Sequence, residues 1–186
     1  MTRPRAFDHD QLMAAAYDVL RRQGPAKLTL RPIAARLGVS QPAVLKRLGS
    51  KRALLADMQR WATERTRELT TALRGQPPIA GLRWLFRIHG QQARSPRELA
   101  HLTSFAALCL ADTRLRALAE ARHKLVIDEV AAALRRDGRP HPELTSRVVV
   151  ALLDGVPLQW AIDPRGSLEA ALSEALDLVL AAQPAR

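Results

Sequence analysis

Five residues in one short stretch carry the most suggestive chemistry in this sequence: Gln41, Ala43, Lys46, Arg47 and Lys51. A glutamine amide binds adenine bidentately, an alanine methyl meets a thymine methyl, and a lysine ammonium reaches guanine. Gln41, Ala43 and Lys46 are therefore candidates to face base edges. Thr29, Arg31, Arg47 and Lys51 are candidates for phosphates, aided by the N–H groups at helix starts. Arg3 and Arg5 lie in a basic N-terminal arm, expected to reach the backbone or an adjacent minor groove. The charge distribution agrees. Residues 1–60 hold 12 Lys+Arg against 4 Asp+Glu, whereas residues 61–186 hold 17 against 14. Most of the excess cation sits in the first third, as expected of a segment that meets a polyanion.

Helices must position these groups. Aromatics make up only 4% of the 186 residues, and the β-branched run Val148-Val149-Val150 lies inside a helical pattern, so an all-α fold is expected. Asp8 and Gln11 form a capping box at the head of a helix expected over 9–23, with Phe7 and Leu12 placed as a hydrophobic staple. Two short helices follow, over 30–37 and 41–48, with Thr29 and Ser40 as N-caps and Pro32 and Pro42 in their first turns. Gly38-Val39-Ser40 joins them, the signature of a helix-turn-helix. Glycine permits the turn, Val39 plugs the space between the helices, and Ser40 caps the second helix so that its N-terminal end can face DNA. Val44, Leu45 and Leu48 read as core rather than readout, and Arg36 and Arg52 as solvated charges. Ser50 starts a long fourth helix, to about residue 74. Further helices are expected over about 79–93, 96–110, 113–137, 142–162 and 168–182, with a kink at Pro157.

The string from Thr29 through Ile33, Ala34, Gly38, Val39 and Ser40 to Lys51, Leu54 and Leu55 resembles the DNA-binding module of the TetR (tetracycline-repressor-like) family, over about residues 8–56. The resemblance implies a nine-helix fold, with a helix-turn-helix domain over 1–50 and a ligand-binding and dimerisation domain over 51–186. It also implies a homodimer on a palindromic double-stranded operator, released by a small organic effector. One feature departs from the family pattern. Where the family usually closes its recognition helix with Tyr-x-His-Phe, this chain has Leu45-Lys46-Arg47-Leu48. The family's Tyr commonly touches a phosphate through its hydroxyl, which Leu45 lacks.

The remaining two thirds is less diagnostic. Trp61, Trp84, Phe86, His89, Phe105, Cys109 and Trp160 supply large apolar walls with a few polar tips, the candidate lining of an effector pocket. The last two helices resemble the closing pair of many TetR-type regulators, which implies pairing with their symmetry mates. Leu168, Ala171, Leu172, Ala175, Leu176 and Val179 form a broad apolar stripe and are the candidate dimer face.

Other classes of function find little support. The five histidines show no His-x-x-x-His pair, no glycine-rich phosphate loop is present, and Cys109 lies on an apolar helix face. Neither an enzyme, nor a metal, nor a cofactor is expected. A single cysteine and the lack of any 18-residue apolar run point to a cytoplasmic protein without a membrane partner. Two alternatives stay open: a constitutive helix-turn-helix repressor that senses nothing, and a helical interaction module.

Overall fold

The computed structural model describes residues 7–184. Among them it contains helices and no strands. The helices are α1 (His9–Gln23), α2 (Leu30–Leu37), α3 (Gln41–Leu48), α4 (Lys51–Arg74), α5 (Pro78–Gly90), α6 (Pro96–Ala111), α7 (Thr113–Arg136), α8 (Pro142–Ile162) and α9 (Leu168–Ala182), with a 3₁₀ turn at Pro25–Lys27.

Local signals set most of these ends. The capping box forms, with Asp8 Oδ1 accepting from the Gln11 N–H at 2.7 Å and Gln11 Oε1 accepting from the Asp8 N–H at 3.1 Å. Ser50 caps α4, Ser95 caps α6, Asp112 caps α7 and Ser167 caps α9 through their side-chain oxygens. Two sequence expectations change. The fifth helix stops at Gly90 rather than near residue 93, because the chain turns at Gln91 and Gln92, whose N–H groups bond to the Ile88 and His89 carbonyls. Thr29 and Ser40 take the extended backbone of N-caps, but neither side chain makes a capping bond.

The chain forms two compact units. The first comprises residues 1–63 and 100–119, so the helix-turn-helix is built into a body larger than residues 1–50. Its core gathers Leu12, Met13, Ala16, Val19 and Leu20 of α1 with Ile33, Val44, Leu48, Leu54, Met58, Phe105 and Cys109. Each turn of α1 therefore contributes to one apolar face, at roughly 25 cal/mol per Å² removed from water. The second unit comprises residues 64–99 and 120–186. There α9 packs on α5 and α8, burying Leu168, Leu172, Leu176 and Leu180 against its own chain. Gly90 is required at this packing, since a Cβ there would lie 2.7 Å from the Glu169 Cα. Continuous through the buried Pro157, α8 ends at Ile162, with Asp163 as its C-cap.

Candidate nucleic-acid interface

The turn between α2 and α3 is a tight backbone device. Gly38 adopts φ 69° and ψ 32°, left-handed values that cost little only for glycine. Its N–H and that of Val39 bond back to the Ala35 and Ala34 carbonyls at 3.3 and 3.1 Å, closing α2. α3 then leaves at a fixed angle, held by Val44 and Leu48, which are 0% and 4% exposed.

With these two residues inward, helical periodicity turns Pro42 and Lys46 outward, flanked by Ala43, Leu45 and Arg47, with Gln41 at the helix start. Gln41, Pro42, Leu45, Lys46 and Arg47 are exposed, and Ala43 is half-buried. The structure thus places Gln41, Ala43 and Lys46 on or beside one solvent face of α3, and leaves Ser40 exposed at its N-terminal end. Arg31 at the start of α2 and Lys51 at the start of α4 are exposed as well, whereas the Thr29 side chain is exposed beside Arg31 without capping its helix. Leu45 is a correction: read as core from sequence, it is 48% exposed. Eight residues make barely two turns, and a helix this short buries only the narrow strip through Val44 and Leu48. Arg3 and Arg5 lie outside the described residues.

The cations of this surface fall into two groups. Arg36 meets Asp18 at 2.9 Å and Arg52 meets Asp112 at 2.9 Å, so both are held by carboxylates of their own unit. Among the described residues, Arg31, Lys46, Arg47 and Lys51 have no carboxylate in salt-bridge reach. Arg47 instead stacks its guanidinium on the Phe7 ring, 5.0 Å from the centroid. This contact orients a cation at the edge of α3 without neutralising it.

Sequence reading missed four polar residues that brace this module. Asp18 accepts from Arg21 and Arg22 at 3.0 and 2.9 Å. Burial pushes its carboxyl up, but hydrogen bonds from Arg22 and Arg21 and the charge of Arg36 outweigh that and hold it below the ordinary carboxylate value. His101 of α6 lies 2.9 Å from the Arg21 carbonyl, against Gly24 at the end of α1. Asp112 joins the start of α7 to Arg52 of α4; the Leu115 N–H bond, then Arg114 and Arg52, lower its carboxyl's pKa. Gln59 is buried with its amide nitrogen 2.9 Å from Cys109 Sγ, and its Oε1 has no partner among the described residues. The contacts of His101 with Arg21, Gln59 with Cys109, Asp18 with Arg36 and Asp112 with Arg52 join residues far apart in sequence, so no local pattern announces them.

The expected pocket residues separate between the units. Trp61, Phe105 and Cys109 belong to the first. Trp61 donates to Asp10 at 3.1 Å and meets Tyr17, whereas Phe105 and Cys109 are core. Trp84, Phe86, His89 and Trp160 belong to the second. Phe86 is fully buried, Trp160 donates to the Gly166 carbonyl at 3.2 Å, and Trp84 is half-buried. His89 is half-buried too. Burial lowers the pKa of its imidazole, assisted by Arg122 and opposed by Asp154 and the Leu153 backbone. None of these residues lines the second unit's open cleft of about 440 Å³, which is walled by Ile127, Asp128, Ala131, Arg135, Glu143, Ser146 and Arg147.

The expected dimer stripe also needs correction. Leu168, Leu172 and Leu176 are buried in the core of their own chain. Ala171, Ala175 and Val179 remain half-buried beside them. The large apolar side chains of α8 and α9 left exposed are Leu144, Val148, Leu158, Ile162 and Leu178. Among the described residues no helix is long and apolar enough to cross a membrane, and no cluster of His, Cys, Asp or Glu is arranged to hold a metal ion.

Residues 12–58, which span most of α1, all of α2 and α3 and the start of α4, match the family model described as bacterial regulatory proteins, tetR family. No curated protein matches the chain. Solved structures share its fold along nearly the whole length. A TetR transcription regulator from Haloarcula marismortui superposes with a TM-score of 0.76 at 20% identity, over 95% of this chain and 98% of that one. A transcriptional regulator from Rhodococcus sp. Rha1 gives 0.72 at 23% identity, over 95% and 98%. NalD of Pseudomonas aeruginosa, described as the secondary repressor of the MexAB-OprM multidrug efflux pump, gives 0.61 at 21% identity, over 94% of each chain. The helix-turn-helix segment is thus that of the tetR family of bacterial regulatory proteins, a DNA-binding regulator module, and the nine described helices are arranged as in solved transcriptional regulators.

Proposed function

We propose that this protein is a homodimeric repressor that holds a palindromic operator with two copies of α3 and is released by a small organic effector. The observation that carries the reading is the exposed α3 face. Gln41, Pro42 and Lys46 project from a rigidly cored helix, and Arg31, Arg47 and Lys51 around it lack carboxylate partners among the described residues. Cations left unneutralised by the protein suit a polyanion, because phosphates take the place of the missing carboxylates and release condensed counterions. Arg31, Arg47, Lys51 and the hydroxyls of Thr29 and Ser40 contact phosphate; Gln41, Ala43 and Lys46 face the bases.

The dimer forms through the outer faces of α8 and α9. Leu144, Val148, Leu158 and Ile162 lie at helical spacings along one side of α8, and Leu178 projects from α9. A second copy covers both stripes by the isologous pairing common in such oligomers. NalD is described as a repressor, and the same sign of regulation is proposed here. Effector binding shifts the population toward a conformer whose recognition helices no longer match successive major grooves. Within the first unit, the contacts of His101 and Asp112 with α1 and α4 are the means by which movement of α6 or α7 reaches the helix-turn-helix.

The test is a gel shift with the duplex upstream of the protein's own gene at rising salt, repeated with a panel of lipophilic compounds. The reading expects a steep fall of affinity with salt and release by at least one compound. Salt-independent binding, or no binding, overturns it. A second reading, a constitutive repressor, is favoured by one observation. The 440 Å³ cleft is open and carries the charged side chains Asp128, Arg135, Glu143 and Arg147, unlike an enclosed organic-ligand pocket. It predicts operator binding that no compound relieves.

A further inference from the structure

We infer that Leu45 reads a thymine methyl group in the major groove and sets sequence preference at one base pair of each half-site, an inference that rests on the DNA-binding reading above. Among the described residues up to Thr63, Leu45 is the large apolar side chain left exposed, at 48%. It stands one turn along α3 from Gln41 and Pro42, at the i+4 and i+3 positions that bring side chains together on a helix. Pro42 is exposed beside it, so α3 presents a small apolar patch bordered by the Gln41 amide and the Lys46 ammonium.

A single exposed leucine is ordinary on a protein surface. This one is set apart by its surroundings. It lies on the helix whose opposite side, Val44 and Leu48, locks into the core, and its neighbours are the unneutralised Lys46 and Arg47. A patch of this size is too small to hold a protein partner. The surrounding positive charge selects a polyanion instead. Leucine and proline side chains offer no hydrogen bond to phosphate or to a base edge. In the major groove of duplex DNA the apolar feature is the thymine C5-methyl, absent from cytosine and from both purines. Burying that methyl against Leu45 removes apolar surface from water on both partners.

The test begins with selection of a binding duplex from a random pool by the purified full-length protein. Each thymine of the selected site is then replaced in turn by deoxyuridine, which keeps every hydrogen-bonding group and deletes only the methyl. One position per half-site is expected to lose about fourfold in affinity, the loss corresponding to one buried methyl. Leu45→Ala, an exposed change to a strong helix former, is expected to fold, to keep the salt dependence of binding, and to bind the thymine and deoxyuridine duplexes equally at that position. In the wild type, 5-methylcytosine there is expected to recover affinity over cytosine. Sequence-selective binding that ignores every thymine methyl overturns this inference alone, as does the survival of every methyl preference in Leu45→Ala. Failure to bind any duplex overturns the regulator reading and this inference together.

Discussion

Both units pair some of their basic side chains with their own carboxylates, Arg21, Arg22, Arg36, Arg52 and Arg60 in the first, yet the cations around α3 stand apart from such pairing. In the second unit Arg65, Arg67, Arg74, Arg83, Lys124, Arg135, Arg139 and Arg165 each pair with a carboxylate of that unit. In the first, Arg31, Lys46, Arg47 and Lys51 surround the exposed face of α3 without such partners among the described residues. The carboxylates nearby are committed elsewhere, Asp18 to Arg21, Arg22 and Arg36, and Asp112 to Arg52. A surface that keeps its cations unneutralised stores repulsion that a bound polyanion relieves, whereas paired arginines serve the fold. Net charge does not show this; the pairing pattern does.

The largest effect should come from deleting the unpaired set. Replacing Arg31, Lys46, Arg47 and Lys51 together by alanine strips three cations from the phosphates and one from the bases of each half-site. Operator affinity at about 0.15 M salt should fall by about 100-fold or more, and the salt slope should flatten by about one for every phosphate no longer neutralised. No carboxylate is orphaned, so thermal stability should hold within about 0.5 kcal/mol. A large stability loss measured by calorimetry would show that these cations serve the fold after all.

Gly24→Ala tests how firmly the first unit is braced. Gly24 has φ 83° and ψ 169°, a conformation open essentially to glycine, and an added Cβ would lie 2.9 Å from His101 Cδ2. The expected cost is about 1–3 kcal/mol of backbone strain, plus displacement of the ring that contacts the Arg21 carbonyl. The melting temperature should fall by roughly 4–10 °C. An unchanged melting curve would mean that His101 moves aside freely and does not brace α1.

An ion pair of the second unit should respond in the opposite sense. Arg74 donates from Nε to Glu129 at 2.8 Å, and the Glu129 side chain is only 9% exposed. Arg74→Ala leaves that buried carboxylate without its guanidinium. The melting temperature should fall by roughly 2–5 °C while operator affinity and its salt slope stay unchanged. Weakened DNA binding at full stability would dissolve the contrast between the units.

Much of the fold could be read residue by residue because its signals are local. Asp8 with Gln11, Ser50, Ser95, Asp112 and Ser167 announce helix starts within four residues of the N–H groups they satisfy. Gly38 announces the turn. What stayed hidden depends on which body covers a face. The stripe Leu168, Leu172, Leu176 has the same spacing whether α5 and α8 or a second subunit buries it, and the chain itself does so. Aromatic spacing could not separate Trp61, tied to Asp10 of α1, from a pocket wall. Leu45 looked like core because leucine usually is, yet α3 is too short to bury more than one strip. The Asp18–Arg36 and Asp112–Arg52 pairs and the contacts of His101 and Gln59 join residues distant in sequence, so composition and periodicity were silent about them.

The smallest expected effect lies at Asp18, the place where the first unit behaves like the second. Its carboxylate, 19% exposed, gathers Arg21, Arg22 and Arg36. Because these arginines hold its pKa below the ordinary value in the folded protein, Asp18 contributes stability above the unfolded pKa of about 4. That contribution is lost as pH falls through the lower folded pKa. Asp18→Asn should therefore destabilise the protein at about pH 7 by at most about 1 kcal/mol, since its partners are partly solvent-screened. The gap between variant and wild type should narrow as pH drops below about 4. Denaturant melts near neutral pH and again about one unit below that unfolded pKa measure both points. A gap that stayed constant across that range would show that the substitution costs packing rather than charge, and that the three arginines were never held by Asp18 electrostatically. Arg52, held by Asp112, would then be the anchored cation of this surface, and the exposed set around α3 would stand with fewer fixed charges beside it.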